Sequence, residues 1–108
     1  MKGWHGIFDQ AVQQLPTSKE QNTATLLGHG TLKVMLYKPQ GIDLQIPHDQ
    51  DEIYVVAKGS GHCLLDGTRF SFQQGDVIFA AAGVEHRFED FSDDFATWVL
   101  FYGPIGGE

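Results

Sequence analysis

Apolar residues recur along this chain in two regimes that meet near residue 22. Before that point Ile7, Phe8, Ala11, Val12 and Leu15 stand at three- and four-residue steps with Pro16 behind them. That spacing predicts one short amphipathic helix or turn, placed to act as a lid or a dimer arm. Residues 17 to 22, Thr-Ser-Lys-Glu-Gln-Asn, are polar without a period and read as a loop. From Thr23 onward short β-rich runs follow one another, separated by Gly, Pro and Asp. They lie near 24–28, 31–38, 42–46, 52–58, 61–66, 68–72, 76–82, 84–90 and 95–102, the spacing of an all-β sandwich or barrel. Thr31 to Lys38 alternates cleanly, with Leu32, Val34 and Leu36 on one side and Lys33, Met35 and Tyr37 on the other. One of those faces is expected to be core. Lys38-Pro39-Gln40-Gly41, Lys58-Gly59-Ser60-Gly61, Asp66-Gly67 and Gln74-Gly75-Asp76 supply the residues that hairpin joints need. The expected organisation is an N-terminal arm over 1–22 and a β-barrel domain over 23–108.

Composition narrows the function classes. A length of 108 residues fits one small domain with a single core. Hydrophobic residues at 42% against 19% charged are globular proportions and exclude a disordered chain. Seven Lys and Arg face fourteen Asp and Glu, a net charge of -7, the wrong sign for nucleic-acid phosphates or an anionic membrane surface. The expected partners are therefore small molecules, with no nucleic acid and no membrane. Cys63 is the single cysteine, so an internal disulfide is excluded and a reducing cytoplasm fits. The start, Gly-Trp-His-Gly-Ile-Phe-Asp-Gln after Met1-Lys2, has no export pattern. The longest apolar stretches, Val77 to Ala82 and Trp98 to Tyr102, fall far short of the ~20 residues of a membrane helix.

Of five histidines, at 5, 29, 48, 62 and 86, two stand out. His48 lies in the polar break Pro47-His48-Asp49-Gln50-Asp51-Glu52, directly before Ile53-Tyr54-Val55-Val56. On a straight strand His48 and Glu52 would share a face about 13 Å apart, too far for one ion. Asp49 to Asp51 must turn the chain if both side chains are to meet a shared metal. From His86 the period places Phe88 and Asp90 on its own face and Arg87 and Glu89 on the other, so His86 heads an inward face.

These residues resemble the two motifs of the cupin superfamily. Its first motif has a Gly, a His-x-His pair, a Glu and, after six more residues, a Gly. Here Glu52 is followed by six residues and Gly59, and His48 stands where the second His belongs. Ile46 occupies the first-His position and is expected to point to the same side as His48, while Gly41 is one place out of register. In the second motif Gly75, Gly83 and His86 match in register, with Ala81 for Pro and Asp90 for Asn. The resemblance covers about residues 28 to 102 and implies an all-β fold, a cupin-type jelly-roll barrel with a short N-terminal helical or irregular segment. It also implies one divalent transition metal ion at the barrel mouth, Fe, Mn, Ni, Co or Zn, held by His48, Glu52 and His86. Such a two-His, one-carboxylate set with open positions is associated with non-haem Fe(II) oxygen chemistry.

Around that triad, Asp51 and Gln50 are the residues able to replace the ligand missing at Ile46, although such residues in turns normally bond backbone and water is the expected occupant. Tyr54 shares the face of Glu52 and is the candidate catalytic residue, to orient a substrate or act as an acid. Trp98, Tyr102, Phe79, Phe88 and Phe101 are expected mainly in the core, Cys63 as a small buried hydrophobe, and His29 and His62 in solvent. The first functional reading is a metal-binding cupin acting on a small polar organic substrate, as a metal-dependent oxygenase. A non-catalytic module that binds or senses a small ligand and a sugar isomerase or epimerase are the alternatives. The apolar N-terminal segment predicts a homodimer.

Overall fold

The computed structural model describes residues 1–15 and 22–108. The loop expected over 17–22 falls outside the described residues up to position 21. One helix, α1 (Phe8–Gln13), precedes eight strands: β1 (Thr23–His29), β2 (Leu32–Tyr37), β3 (Asp51–Lys58), β4 (Ser60–Leu65), β5 (Thr68–Gln73), β6 (Val77–Ala80), β7 (His86–Glu89) and β8 (Ala96–Tyr102). They form a five-stranded sheet in the order β1-β2-β8-β3-β6 and a three-stranded sheet in the order β5-β4-β7. All pairings are antiparallel, and the jelly-roll arrangement expected above is what the chain adopts.

The two sheets close on a core of Tyr37, Tyr54, Val56, Ile78 and Val99 from the larger sheet and Cys63, Phe72 and Phe88 from the smaller, with Phe95 between them. Phe88 is the hub: its ring stands 5.0 Å from Tyr54, 5.5 Å from Phe72 and 4.9 Å from Phe95, all edge-on or tilted. Burying each such ring stabilises the fold by about 1.5–3 kcal/mol. Gly59 is required by close packing as well as by its φ of 89°. A Cβ there would stand 2.7 Å from Phe95 Cα, so no side chain fits where the 91–95 loop crosses the β3–β4 turn. The β4–β5 hairpin turns on Asp66-Gly67 with both residues at positive φ, 48° and 81°, as its sequence predicts.

Both faces of β2 are buried, where the alternation predicts one. Met35 and Tyr37 enter the barrel core, while Leu36 joins a second cluster with Ala11 and Ala96 on the outside of the large sheet. That cluster is completed by Phe8, Val12, Leu15, Leu26 and Trp98, with Phe8 meeting Trp98 edge-on at 6.2 Å. The N-terminal helix therefore lies on its own sheet. Trp4 and Ile7 remain 45% and 43% exposed.

The strand expected over 42–46 does not form. Ile42, Leu44 and Ile46 turn outward, exposed at 62%, 71% and 75%, while Asp43 is buried at 3%. The reason is local hydrogen bonding. Asp43 accepts bonds from the Tyr37 hydroxyl (2.6 Å), the Gln45 backbone N–H (3.0 Å), the Gln45 side-chain amide (2.9 Å) and the Phe88 backbone N–H (2.8 Å). The carboxylate takes the β7 donor that a neighbouring strand would otherwise use, and it draws the polar side of the segment inward.

Candidate metal centre

Glu52 is the second residue of β3, 1% exposed, and its register opposite Ala80 and Phe101 directs the side chain into the barrel mouth. His86 opens β7 and is 4% exposed. His48 precedes β3, and the chain bends at Asp49 and Gln50 as the spacing demands. The bend is tied on three sides. Gly83 N–H donates to His48 O (2.7 Å) and Gly106 N–H to Asp49 O (2.7 Å), while Gln50 Nε2 donates to Gly103 O (2.8 Å). Asp51 accepts from the backbone N–H groups of Ala82 and Glu108, both at 2.9 Å, and these two bonds hold its carboxyl below the usual range. Gln50 and Asp51 thus bond distant backbone and are engaged away from the cluster. The C-terminal residues, which carry no motif in the sequence, clasp the bend that carries His48.

The ligand atoms of His48, Glu52 and His86 all lie within 4.8 Å of one another. His48 Nδ1 is 3.1 Å and His86 Nε2 2.9 Å from the same oxygen, Glu52 Oε1. His86 Nδ1 lies 3.0 Å from Val84 O, a contact in which the ring must donate, and in the neutral ring this leaves Nε2 as the lone pair. Among the described residues His86 Nε2 nevertheless has no well-formed hydrogen bond and Glu52 Oε2 no partner, though both are enclosed. Burial raises the Glu52 carboxyl, but the two imidazoles outweigh it and hold it below the ordinary range. Burial lowers His86, but the Glu52 carboxylate and the Val84 carbonyl outweigh that and hold it above. A buried anion flanked by two imidazoles, with ligand atoms left over, suits a borderline divalent ion.

Phe101 walls one side of the cluster, its ring 5.0 Å from His48, and the Tyr54 ring stands 5.9 Å from His86. Tyr54 is 1% exposed, and its hydroxyl donates to Gln45 Oε1 at 3.0 Å. Burial and then the Glu52 charge push the Tyr54 ionisation far above its ordinary range, so it is a phenol at neutral pH. Asp43 and Gln45 carry no signal in the sequence, because apolar-in is the default reading of an alternating Ile-Asp-Leu-Gln-Ile run.

Other expectations need correction. Ile46 turns to solvent, away from the first-His role, because the inward place on that segment belongs to Gln45 and Asp43. Asp90 does not share the inward face of His86. It leaves the strand at φ 48°, is exposed and pairs with Arg69 Nη2 at 2.6 Å. His62 is half-buried with Nδ1 enclosed, because Glu89 and Ser71 flank it in register. Cys63 is buried as expected, and burial pushes its thiol up to about 11. A groove of about 550 Å³ between Ser60, His62, Ser71, Gln73, Asp76 and Asp90 includes none of the three cluster residues, so donor chemistry rather than groove size marks the site. Among the described residues no helix is long and apolar enough to cross a membrane.

The family pattern of the cupin domain matches residues 33–102. The uncharacterized protein SCO3923 of Streptomyces coelicolor is 36% identical over 62 residues, 57% of this chain and 59% of its own. The HTH-type transcriptional activator RhaS of Yersinia pestis is 35% identical over 66 residues, 61% of this chain but 24% of the activator. The matches thus span less than two thirds of either relative. Among solved structures, a cupin-2 domain containing protein from Shewanella frigidimarina superposes with a TM-score of 0.69 at 16% identity, covering 90% of this chain and 93% of that one. That likeness speaks for the fold alone.

Proposed function

The chain belongs to the cupin domain family, and on that premise we propose that it holds one divalent transition metal ion, Fe, Mn, Ni, Co or Zn, on His48, Glu52 and His86 and offers it to a small polar organic substrate. The observation that carries this reading is a pair of enclosed atoms that make no well-formed hydrogen bond among the described residues, Glu52 Oε2 and His86 Nε2, in a cluster whose carboxylate is held ionised. Bound there, the ion would supply Lewis acidity or an oxygen-binding position, as in an oxygenase. The chain's own contribution is orientation. Val84 O sets the His86 tautomer, the clasped bend fixes His48, and Phe101 packs edge-on against the His48 ring. Tyr54 is the residue we assign to orienting the substrate or acting as an acid. In the second role it would first have to release Gln45.

Elemental analysis of protein purified without a chelating tag is expected to find one transition ion per chain. His48→Ala and His86→Ala should each lose it with the β fold intact, whereas full metal content in both variants would place the site elsewhere. The match to part of a transcriptional activator favours a second reading, a barrel that binds or senses a small ligand without turnover. Oxygen uptake with added Fe(II) across small diols, keto acids and thiols separates the two, since a binder consumes none.

A cytoplasmic setting accords with the lone buried Cys63. A homodimer is supported by the outer face of the large sheet. There Trp4, Val77 and Phe79 stay 45%, 67% and 49% exposed beside a groove of about 280 Å³ lined by Val34, Val55, Trp98 and Leu100. A second copy would cover that face. Light scattering that finds a monomer, or a dimer undisturbed by Phe79→Glu, argues against this surface.

A further inference from the structure

Asp43, Gln45 and Tyr54 form a chain of hydrogen bonds whose direction follows from chemistry alone. Asp43 is buried and receives four hydrogen bonds, so it is an acceptor at every contact. The group of Gln45 that faces it must then be the amide nitrogen, 2.9 Å from Oδ2. This settles which end of the Gln45 amide points onward, a choice that is otherwise ambiguous. Its oxygen faces Tyr54 at 3.0 Å, and an amide oxygen can only accept, so the single proton of the Tyr54 hydroxyl lies on Gln45.

Glu52 stands two residues before Tyr54 on the same face of β3 and is 2.9 Å from His86, whose ring lies 5.9 Å from the Tyr54 ring, so its carboxylate is an acceptor on the same side as that hydroxyl. Among the described residues its buried Oε2 has no donor. A carboxylate oxygen left bare in a closed site costs free energy unless something else meets it.

We propose that Gln45 is a positioning residue for the metal cluster: anchored by Asp43, it takes the Tyr54 hydroxyl proton and keeps that proton off Glu52, leaving the buried carboxylate oxygen to the ion. This rests on the reading of His48, Glu52 and His86 as metal ligands. Without Gln45 the hydroxyl would turn to Glu52, and an incoming ion would have to displace it.

Titration of the purified apoprotein with Zn(II) or Mn(II) tests the proposal. Gln45→Met keeps the side-chain length and removes the acceptor, and should weaken affinity about 10–100-fold, the range for losing an outer partner of a metal ligand. Adding Tyr54→Phe removes the competing proton and should return the affinity to near the wild-type value. An unchanged affinity in Gln45→Met overturns the proposal. So does a loss that Tyr54→Phe fails to restore, which is what a merely structural role would give. Should these variants not fold, NMR of the wild-type apoprotein decides. The Tyr54 hydroxyl proton should show contacts to the Gln45 side chain, and a proton directed at Glu52 refutes the idea. Wild-type protein that takes up neither ion overturns the metal reading and the proposal with it, and the NMR contact then shows whether the hydrogen-bond direction itself was right.

Discussion

Asp43 and Glu52 are both buried carboxylates, 3% and 1% exposed, and each lies close to the Phe88–Tyr54 centre of the barrel. Asp43 meets four donors, two of them backbone N–H groups of distant or adjacent residues. Glu52 meets two imidazoles on one oxygen and, among the described residues, nothing on the other. Asp43 is therefore a fastener, complete in itself, that binds the 42–46 segment to β7. Glu52 keeps one oxygen over, and that is the atom the proposed ion would use. Burial alone does not distinguish a structural acid from a ligand, but the inventory of donors around each does.

The largest expected effect is that of Asp43→Leu. It strands the Tyr37 hydroxyl and the Gln45 and Phe88 N–H groups, and at about 1–3 kcal/mol for each buried group left unpaired it should cost on the order of 4 kcal/mol in denaturant titration. A loss under about 1 kcal/mol would mean that Asp43 is no fastener. Glu52→Gln should behave oppositely. Stoichiometric metal uptake should vanish by elemental analysis, while the apoprotein's stability changes by about 1 kcal/mol or less, because an amide can still meet both imidazoles. Unfolding of this variant would erase the contrast between the two acids.

The pH dependence of the apoprotein sharpens the same contrast. Glu52 is held below its ordinary range, so its stabilisation is present above about pH 4.3 and lost as pH falls through the lowered value. His86 is held above its ordinary range, so its stabilisation is fully present below about pH 6.5 and lost as pH rises through the raised value. Thermal melts of the apoprotein should thus show the pair's contribution greatest between those limits. The added stabilisation by Zn(II) should instead grow as pH rises and His86 gives up its proton. A metal-induced shift that is flat with pH would count against His86 as a ligand. The smallest expected effect is that of Ile46→His. With its side chain in solvent, the new imidazole should leave metal affinity unchanged, and a marked gain in a titration would show that this segment can turn over.

The His48–Glu52–His86 cluster is largely legible in the sequence. Spacing and motif register mark His48, Glu52 and His86, and the fold gathers all three within 4.8 Å. Even the turn at Asp49 to Asp51 follows from the ~13 Å that a straight strand would impose. Gln45 is not legible, because its role depends on an aspartate buried two residues earlier and on a tyrosine nine residues later. The second buried face of β2 is equally hidden, since Leu36 is enclosed by a cluster to which the N-terminal helix brings Phe8, Ala11 and Val12 from far along the chain.

Local stereochemistry therefore settles most of the strand runs, the Asp66-Gly67 hairpin and the positive-φ turn at Gly59, because alternation and turn geometry act over a few residues. Tertiary structure alone decides which side of Ile42 to Ile46 faces inward, that Asp51 holds the C-terminal residues, and that Ile46 stands in solvent. Alternation states only that two faces differ. Which of them is covered depends on donors and apolar surfaces brought in from far along the chain, here Phe88 N–H, Tyr37 and the N-terminal helix.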